Sequence, residues 1–239
     1  MQSVTLSNGV KMPVIGYGTL QITDPAQCRQ CVGNALACGY RLVDTAAAYG
    51  NERAVGDAIK TCGVPREELF IITKLWVQDA RYDNTLKAFE TSRKNLGLDY
   101  IDLYLIHQPF GDYYGAWRAM EKLYASGAVR AIGVSNFSAE RLVDLCMNQK
   151  VKPMVNQIEL HQAEALKVMA LYGVVPQAWG PLAEAQKHIF EQKTLVKIAA
   201  SHEKTVAQVV LRWHYQRGVP TIPKTICQER MAENLDIFG

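Results

Sequence analysis

The chain has 239 residues, 49% of them hydrophobic and 21% charged, enough apolar material to bury a large core and too much for a disordered protein. Its 26 basic and 23 acidic side chains leave a formal charge of +3, spread along the sequence, which argues against nucleic-acid or polybasic membrane binding and leaves small molecules as the expected partners. Residues 1–14 lack a basic segment followed by a long apolar one, and nowhere do about 18 apolar residues run together, so a soluble, cytoplasmic protein is expected.

In chain order, residues 3–6 and 10–12 flank Asn8-Gly9, which predicts a short hairpin closed by a type I′ turn, a plug or lid ahead of the main fold. Short apolar runs then alternate with longer segments of helical period. The runs 14–17, 41–43, 70–73, 101–106, 131–134, 154–157, 175–178 and 219–222 are eight candidate strands. Segments 25–38, 84–96, 114–126 and 139–148 repeat apolar residues every three or four positions, as helices packed on a sheet do. Gly39, Gly63, Gly97, Gly127 and Gly173 follow such segments and are read as left-handed helix caps. Eight strand–loop–helix units without a linker predict an α/β protein, a closed (β/α)8 barrel of the TIM type with an N-terminal β-hairpin, forming one domain over residues 1–239.

Six cysteines, at 28, 31, 38, 62, 146 and 227, are too sparse for a disulfide framework and are read as reduced. Cys28-Arg-Gln-Cys31 has CxxC spacing, but no second pair or histidine set completes a zinc site, and packing on a helix face is the favoured reading. No metal site, Ser/His/Asp set, GxSxG or Walker A sequence is expected to operate.

Polar residues follow the candidate strands: Asp44 after 41–43, Lys74 after 70–73, His107 after 101–106, Ser135-Asn136 after 131–134 and Lys224 after 219–222. In a parallel barrel these meet at the C-terminal rim, where active sites are built. Each alone has an ordinary structural explanation: Asp44 could cap a helix over 51–60, Lys74 could be a solvated charge, His107 a core histidine. Their convergence favours chemistry. Asp44 and Lys74, on neighbouring strands, can pair, and Tyr49 follows across the small residues 45–48. A phenol beside an ammonium is expected to have its pKa drawn down from about 10 toward a range useful for proton donation. His107 could hold a substrate oxygen.

Residues 16–21, Gly-Tyr-Gly-Thr-Leu-Gln, lack the third glycine of a dinucleotide-binding fingerprint, so a bound nucleotide would be held by barrel loops. Trp179 offers a flat face, while Lys224, Thr225 and Arg230 flank the start of the last helix and suit a monophosphate such as that of NADP.

The stretches Asp44-Thr-Ala-Ala-Ala-Tyr49-Gly-Asn-Glu52, Ile72-Thr-Lys74-Leu-Trp76, Asp102-Leu-Tyr-Leu-Ile-His107, Gly133-Val-Ser135-Asn136-Phe137, Asn156-Gln157 and Ile222-Pro-Lys224-Thr225 together resemble the aldo-keto reductase family over essentially the whole chain, most closely its short microbial branch. That resemblance implies NADPH-dependent reduction of aldehydes and ketones. It implies Tyr49 as proton donor, Lys74 and Asp44 as its tuning pair, and His107 as the group orienting the carbonyl. Ser135, Asn136 and Gln157 would hold the nicotinamide carboxamide and Trp179 would stack on its ring. Gly18, Thr19 and Leu182 match loops along the cofactor; Lys224, Thr225, Arg230, Glu233 and Asn234 match its 2′-phosphate and adenine end. Trp76 and Phe110 would line an apolar substrate mouth, with Tyr113 a further candidate. A small-molecule carbonyl substrate, no nucleic-acid or membrane partner and a monomeric state are expected.

Two departures from the family pattern stand out. Gln162-Ala163 follows Glu159-Leu160-His161 where relatives carry a proline and a short turn, and the sequence reaches Gly239 without the tail that folds over the pocket in relatives. Two other functions fit parts of the pattern. One is a Schiff-base barrel using Lys74 as nucleophile, which leaves Lys224 and Arg230 without a role. The other is an NADPH-binding regulatory subunit without significant turnover.

Overall fold

In the computed structural model, which describes residues 2–159, 163–186 and 188–239, the chain opens with an antiparallel hairpin of β1 (Ser3–Thr5) and β2 (Lys11–Pro13). Its connection is not the type I′ turn predicted. The Gly9 N–H donates to the Leu6 carbonyl (2.9 Å), the Leu6 N–H donates to the Val10 carbonyl (2.8 Å), and Gly9, at +86°, has the loop's one positive φ. This is a three-residue loop ending in a glycine bulge, which a Gly after Asn supports as well as it supports type I′. Asn8 instead donates from Nδ2 to the carbonyl of Arg130 at 2.9 Å, at the entrance of a barrel strand. With Leu6 and Met12 buried, the hairpin plugs the N-terminal end of the barrel and is no lid over the opposite rim.

The rest of the chain alternates strand and helix. It runs β3 (Tyr17–Gly18), α1 (Pro25–Cys38), β4 (Leu42–Asp44), α2 (Glu52–Thr61), β5 (Phe70–Leu75), α3 (Tyr82–Leu96), β6 (Ile101–Ile106), α4 (Tyr113–Ala125) and β7 (Val129–Ser135). There follow α5 (Ala139–Asn148), β8 (Val155–Ile158), α6 (Ala163–Tyr172), β9 (Val175–Ala178), α7 (Lys193–Ser201), α8 (Val206–Gln216) and α9 (Gln228–Leu235). Strands β3 to β9 form one parallel sheet in sequence order. The predicted eighth strand, 219–222, is reduced to Thr221, which bridges Ala178 on one side and Ile15 on the other. Pro220 and Pro223 supply no N–H to a ladder, so a longer strand cannot pair there. The barrel nevertheless closes: the Gly16 N–H donates to Thr221 O (2.8 Å) and the Ile222 N–H to Ala178 O (3.2 Å). The departure noted at Leu160, His161 and Gln162 lies outside the described residues.

The five glycines read as helix caps all have positive φ, from 64° at Gly97 to 110° at Gly39. In α1, Asp24 caps the helix by accepting from the Gln27 N–H at 2.7 Å, and Cys28 and Cys31 are buried on its inner face, as the packing reading requires. At the plugged end, the Asp102 carboxylate accepts from Arg66 (2.6 Å), Arg130 (2.7 Å) and the Ile71 N–H (2.9 Å), tying β5, β6 and β7 together.

Gly56 is required by space. A Cβ on Gly56, inside α2, would stand 2.4 Å from the backbone oxygen of Leu96 at the end of α3. Helix propensity alone predicts that Gly56→Ala stabilises by about 1 kcal/mol. Overpacking against backbone costs about 1–3 kcal/mol, so the expected outcome is a net loss of stability, read as a lower urea midpoint; an unchanged or higher midpoint would contradict the packing argument.

Candidate active site

Parallel pairing brings the predicted rim residues together. Gly18 is in register with Asp44, Ile72 with Leu103, and Ser135 with Gln157, so β4, β5, β7 and β8 present their C-terminal residues to one opening. His107 follows β6 directly, its N–H donating to Leu75 O at 3.1 Å.

Lys74 is fully buried, and its ammonium has three acceptors: Asp44 Oδ1 at 2.5 Å, the Thr45 carbonyl at 2.9 Å and the Tyr49 hydroxyl at 3.3 Å. An ammonium has three hydrogens, so this set is complete. The other Asp44 oxygen accepts from Gln157 Nε2 at 2.8 Å. Burial alone would lower the pKa of Lys74, but Asp44 and Tyr49 overcome it and the net direction is upward. Burial pushes the Asp44 carboxyl upward, against Lys74 and Gln157. The capping reading of Asp44 does not hold, because its side chain faces the lysine.

Tyr49 stands on a short 3-10 turn, Ala47–Tyr49, ended by Gly50 at a φ of 67°. Asn51, just ahead of α2, makes no side-chain capping bond. It accepts from Thr45 Oγ1 (2.7 Å) and donates to the carbonyls of Thr19 (2.9 Å) and Ile22 (3.2 Å), fastening the Tyr49 turn to the loop after β3. The Tyr49 phenol is less acidic than expected from the lysine alone. Desolvation pushes the Tyr49 phenol above its ordinary value, Lys74 pulls it back, and the net direction is up. The nearby cation was visible in the sequence; the dry surroundings that outweigh it were not.

The His107 ring packs edge-on against Tyr49 (centroids 5.6 Å apart) and Trp76 (5.1 Å). Its Nδ1 is buried and has no hydrogen-bond partner among the described residues. Burial, helped by Lys74, holds its pKa down to about 3, and burial of His214 in α8 lowers that residue to about 4. Both are neutral in the fold at working pH, whereas an unfolded chain protonates histidine near about 6.5. The unfolded state therefore binds more protons between those limits, so stability is full above about pH 6.5 and falls as pH drops toward the folded values, by up to about 1.4 kcal/mol per unit for each group. Urea midpoints measured at pH 7.5 and 5 should differ less in His214→Asn than in the parent; an identical difference would show that His214 does not contribute.

An elongated cleft of about 670 Å³ runs from this cluster toward α9. Asp44, Tyr49, His107, Gly18, Ser135, Asn136, Gln157, Trp179, Leu182, Lys224, Thr225, Arg230, Glu233 and Asn234 all line it. Ser135 Oγ donates to Gln157 O (2.9 Å), and Asn136, at a φ of 61°, donates to the His107 carbonyl (3.1 Å) and accepts from Trp179 Nε1 (2.9 Å). These bonds lock the polar end and set the indole face. The opposite end carries two cations, a hydroxyl and the start of a helix, a donor set suited to an anion.

Four predicted residues stand elsewhere. Thr19 is buried and donates its hydroxyl and N–H to the Asp44 carbonyl, so it supports the strand end without lining the cleft. Phe110 is 59% exposed and, with Trp76, is not among the lining residues, although Trp76 reaches the mouth through His107. Tyr113 faces Phe137 and Asp144 on the outside. The sequence reading missed the cleft residues Leu20, Gln21, Glu184, Phe190 and Thr205–Ala207, which carry no motif. It also missed Gln177, which accepts from Gln157 Nε2 at 2.8 Å inside the barrel; a glutamine within a barrel strand was the available signal.

The model of the aldo/keto reductase family matches residues 14–239. Among curated proteins the chain is 48% identical over 241 residues to glyoxal reductase of Bacillus subtilis (strain 168), covering 99% of this chain and 87% of that protein. Among solved structures it is similar to an aldo-keto reductase from a Medee basin deep-sea metagenome library, with a TM-score of 0.96, 45% identity and coverage of 99% and 89%. It is also similar to a Bombyx mori aldo-keto reductase in complex with NADP, with a TM-score of 0.94, 34% identity and coverage of 99% and 87%. Among the described residues no helix is long and apolar enough to cross a membrane.

Proposed function

The chain belongs to the aldo/keto reductase family, oxidoreductases that reduce carbonyl groups, and from that premise we propose that it is an NADPH-dependent reductase of small aldehydes and ketones with Tyr49 as its acid. The observation that carries this reading is the Tyr49 hydroxyl beside the Lys74 ammonium (3.3 Å), facing a cleft that ends in Lys224 and Arg230. A reduced nicotinamide, when bound, supplies the hydride. The protein does the rest. Ser135, Asn136 and Gln157 offer an amide-binding edge and Trp179 a stacking face, while Lys224, Thr225 and the start of α9 offer a seat for the 2′-phosphate. His107, neutral at working pH, donates a hydrogen bond to the carbonyl oxygen and adds no charge. Tyr49 holds its proton at neutral pH and gives it to the same oxygen as negative charge develops there; Lys74, held protonated by Asp44, stabilises the phenolate left behind.

The Schiff-base reading is disfavoured, because Lys74 is buried and ion-paired at 2.5 Å and its pKa is raised, all of which suppress a free amine. Glyoxal, the substrate in the name of the Bacillus relative, is the first aldehyde to assay. Fluorescence titration should give tighter binding of NADPH than NADH, with aldehyde-dependent NADPH oxidation. Equal affinity would remove the phosphate clamp from the reading, and tight binding without turnover over a wide carbonyl panel would favour a regulatory role. In Lys224→Ala and Arg230→Ala the NADPH Kd should rise roughly ten- to a hundredfold, the range of a charge-assisted hydrogen bond, while the NADH Kd stays near its starting value. Equal weakening for both coenzymes would refute the 2′-phosphate assignment.

A further inference from the structure

Two tyrosines beneath the phosphate end of the cleft have no role in the reading above. Tyr17 on β3 and Tyr40, just after α1, are completely buried, and their rings meet edge-on with centroids 5.8 Å apart. A phenylalanine would fill either volume without a hydroxyl to satisfy. Both hydroxyls are satisfied by one segment of chain: Tyr17 donates to the Thr225 carbonyl at 2.6 Å and Tyr40 to the Met231 carbonyl at 3.2 Å. Burial pushes both phenols above their ordinary value, so each remains a donor at any working pH.

The segment they hold runs from Thr225 to Met231 and carries the cation Arg230. Lys224 precedes it, and Thr225 Oγ1 accepts from the Cys227 N–H at 3.1 Å, opening α9. It begins past Pro223, where the backbone bonds to the neighbouring barrel strands end, so the sheet ladder does not steady it. Beside it, the Gly18 N–H donates to Pro223 O (3.1 Å), and a Cβ on Gly18 would stand 2.8 Å from Ile222 O. Past Pro223, the two phenol hydroxyls are therefore side-chain ties to this backbone, one just after Lys224 at Thr225 and one just after Arg230 at Met231.

We propose that Tyr17, assisted by Tyr40, is a positioning residue for coenzyme choice, setting the spacing of Lys224 and Arg230 from below without touching the ligand. This rests on the cofactor reading above. A bidentate anion seat loses affinity when its cations are free to drift, whereas contacts at the nicotinamide end do not depend on this segment.

Adenosine 2′,5′-bisphosphate and adenosine 5′-monophosphate, titrated calorimetrically, separate the two ideas. The parent should bind the bisphosphate more tightly. In Tyr17→Phe the bisphosphate Kd should rise roughly three- to tenfold, the range of one neutral hydrogen bond, with the monophosphate Kd changed less than twofold; Tyr40→Phe should move the same way by less. Native-state hydrogen exchange should show amides 227–231 opening faster in Tyr17→Phe, with β4 to β8 unchanged. An unaltered bisphosphate-to-monophosphate ratio in a folded Tyr17→Phe protein, or no local change in exchange, overturns the proposal while leaving the cofactor reading intact. If the parent itself fails to discriminate the two nucleotides, the cofactor reading fails and this proposal fails with it.

Discussion

Replacing Tyr49 with phenylalanine should lower the single-turnover rate of carbonyl reduction about a thousandfold, within the usual range of roughly 10²–10⁴ for a positioned general acid. The ring volume is kept, and the hydroxyl is one of three acceptors around Lys74, of which Asp44 and the Thr45 carbonyl remain. The urea midpoint should therefore change little, and NADPH binding, which depends on other residues of the cleft, should persist. Single turnover is the right measurement because release of oxidised coenzyme can mask the chemical step in kcat. A variant that keeps more than a tenth of the parent rate would assign the proton to another donor, and a variant that loses coenzyme affinity would make Tyr49 a binding group instead.

Lys74→Met should be damaging twice over. Removing the ammonium leaves the Asp44 carboxylate buried with Gln157 as its one side-chain donor among the described residues, and breaking a buried pair from one side costs about 3–5 kcal/mol. The same change removes the cation that stabilises a Tyr49 phenolate, so turnover should fall along with stability. The double variant Asp44→Leu/Lys74→Met divides these effects. Without an orphaned charge it should recover most of the lost stability, because replacing a whole buried pair by apolar groups is often neutral, yet it should stay inactive. If Lys74→Met unfolds no more readily than the parent, the pair is not the buried unit described above. If the double variant regains turnover, Lys74 does not serve Tyr49.

The tyrosine's acidity shows where a one-dimensional reading stops. That Lys74 would lie beside Tyr49 follows from the order of the strands and the small residues 45–48 between Asp44 and the phenol. The sign of the pKa shift follows from how much water the finished barrel excludes, and burial outweighs the cation. The turn at Asn8-Gly9 has the same lesson at smaller scale: glycine's need for positive φ was legible, but which of two hairpin loops it serves was not, nor that Asn8 donates to the Arg130 carbonyl on β7. The apolar run of residues 219–222 predicts a strand, yet Pro220 and Pro223 have no N–H to donate and Thr221 alone forms bridges, with scattered backbone bonds closing the barrel beside it. Asn51 is another case, a helix-start residue that ties two loops because α2 begins against the loop after β3.

Alternation of apolar runs, glycine caps and polar residues at the strand ends determined the barrel and its C-terminal rim, and singled out Asp44, Tyr49, Lys74 and His107 as residues to meet there, because these are local patterns repeated along the backbone. Tertiary packing alone decided which candidates line the cleft. It turned Thr19 inward to the Asp44 carbonyl and left Phe110 in solvent, brought Gln177 against Gln157, and bonded two buried phenols to the carbonyls of Thr225 and Met231. Those outcomes depend on desolvation and on contacts between residues up to 208 positions apart, and neither quantity exists until the sheet has closed.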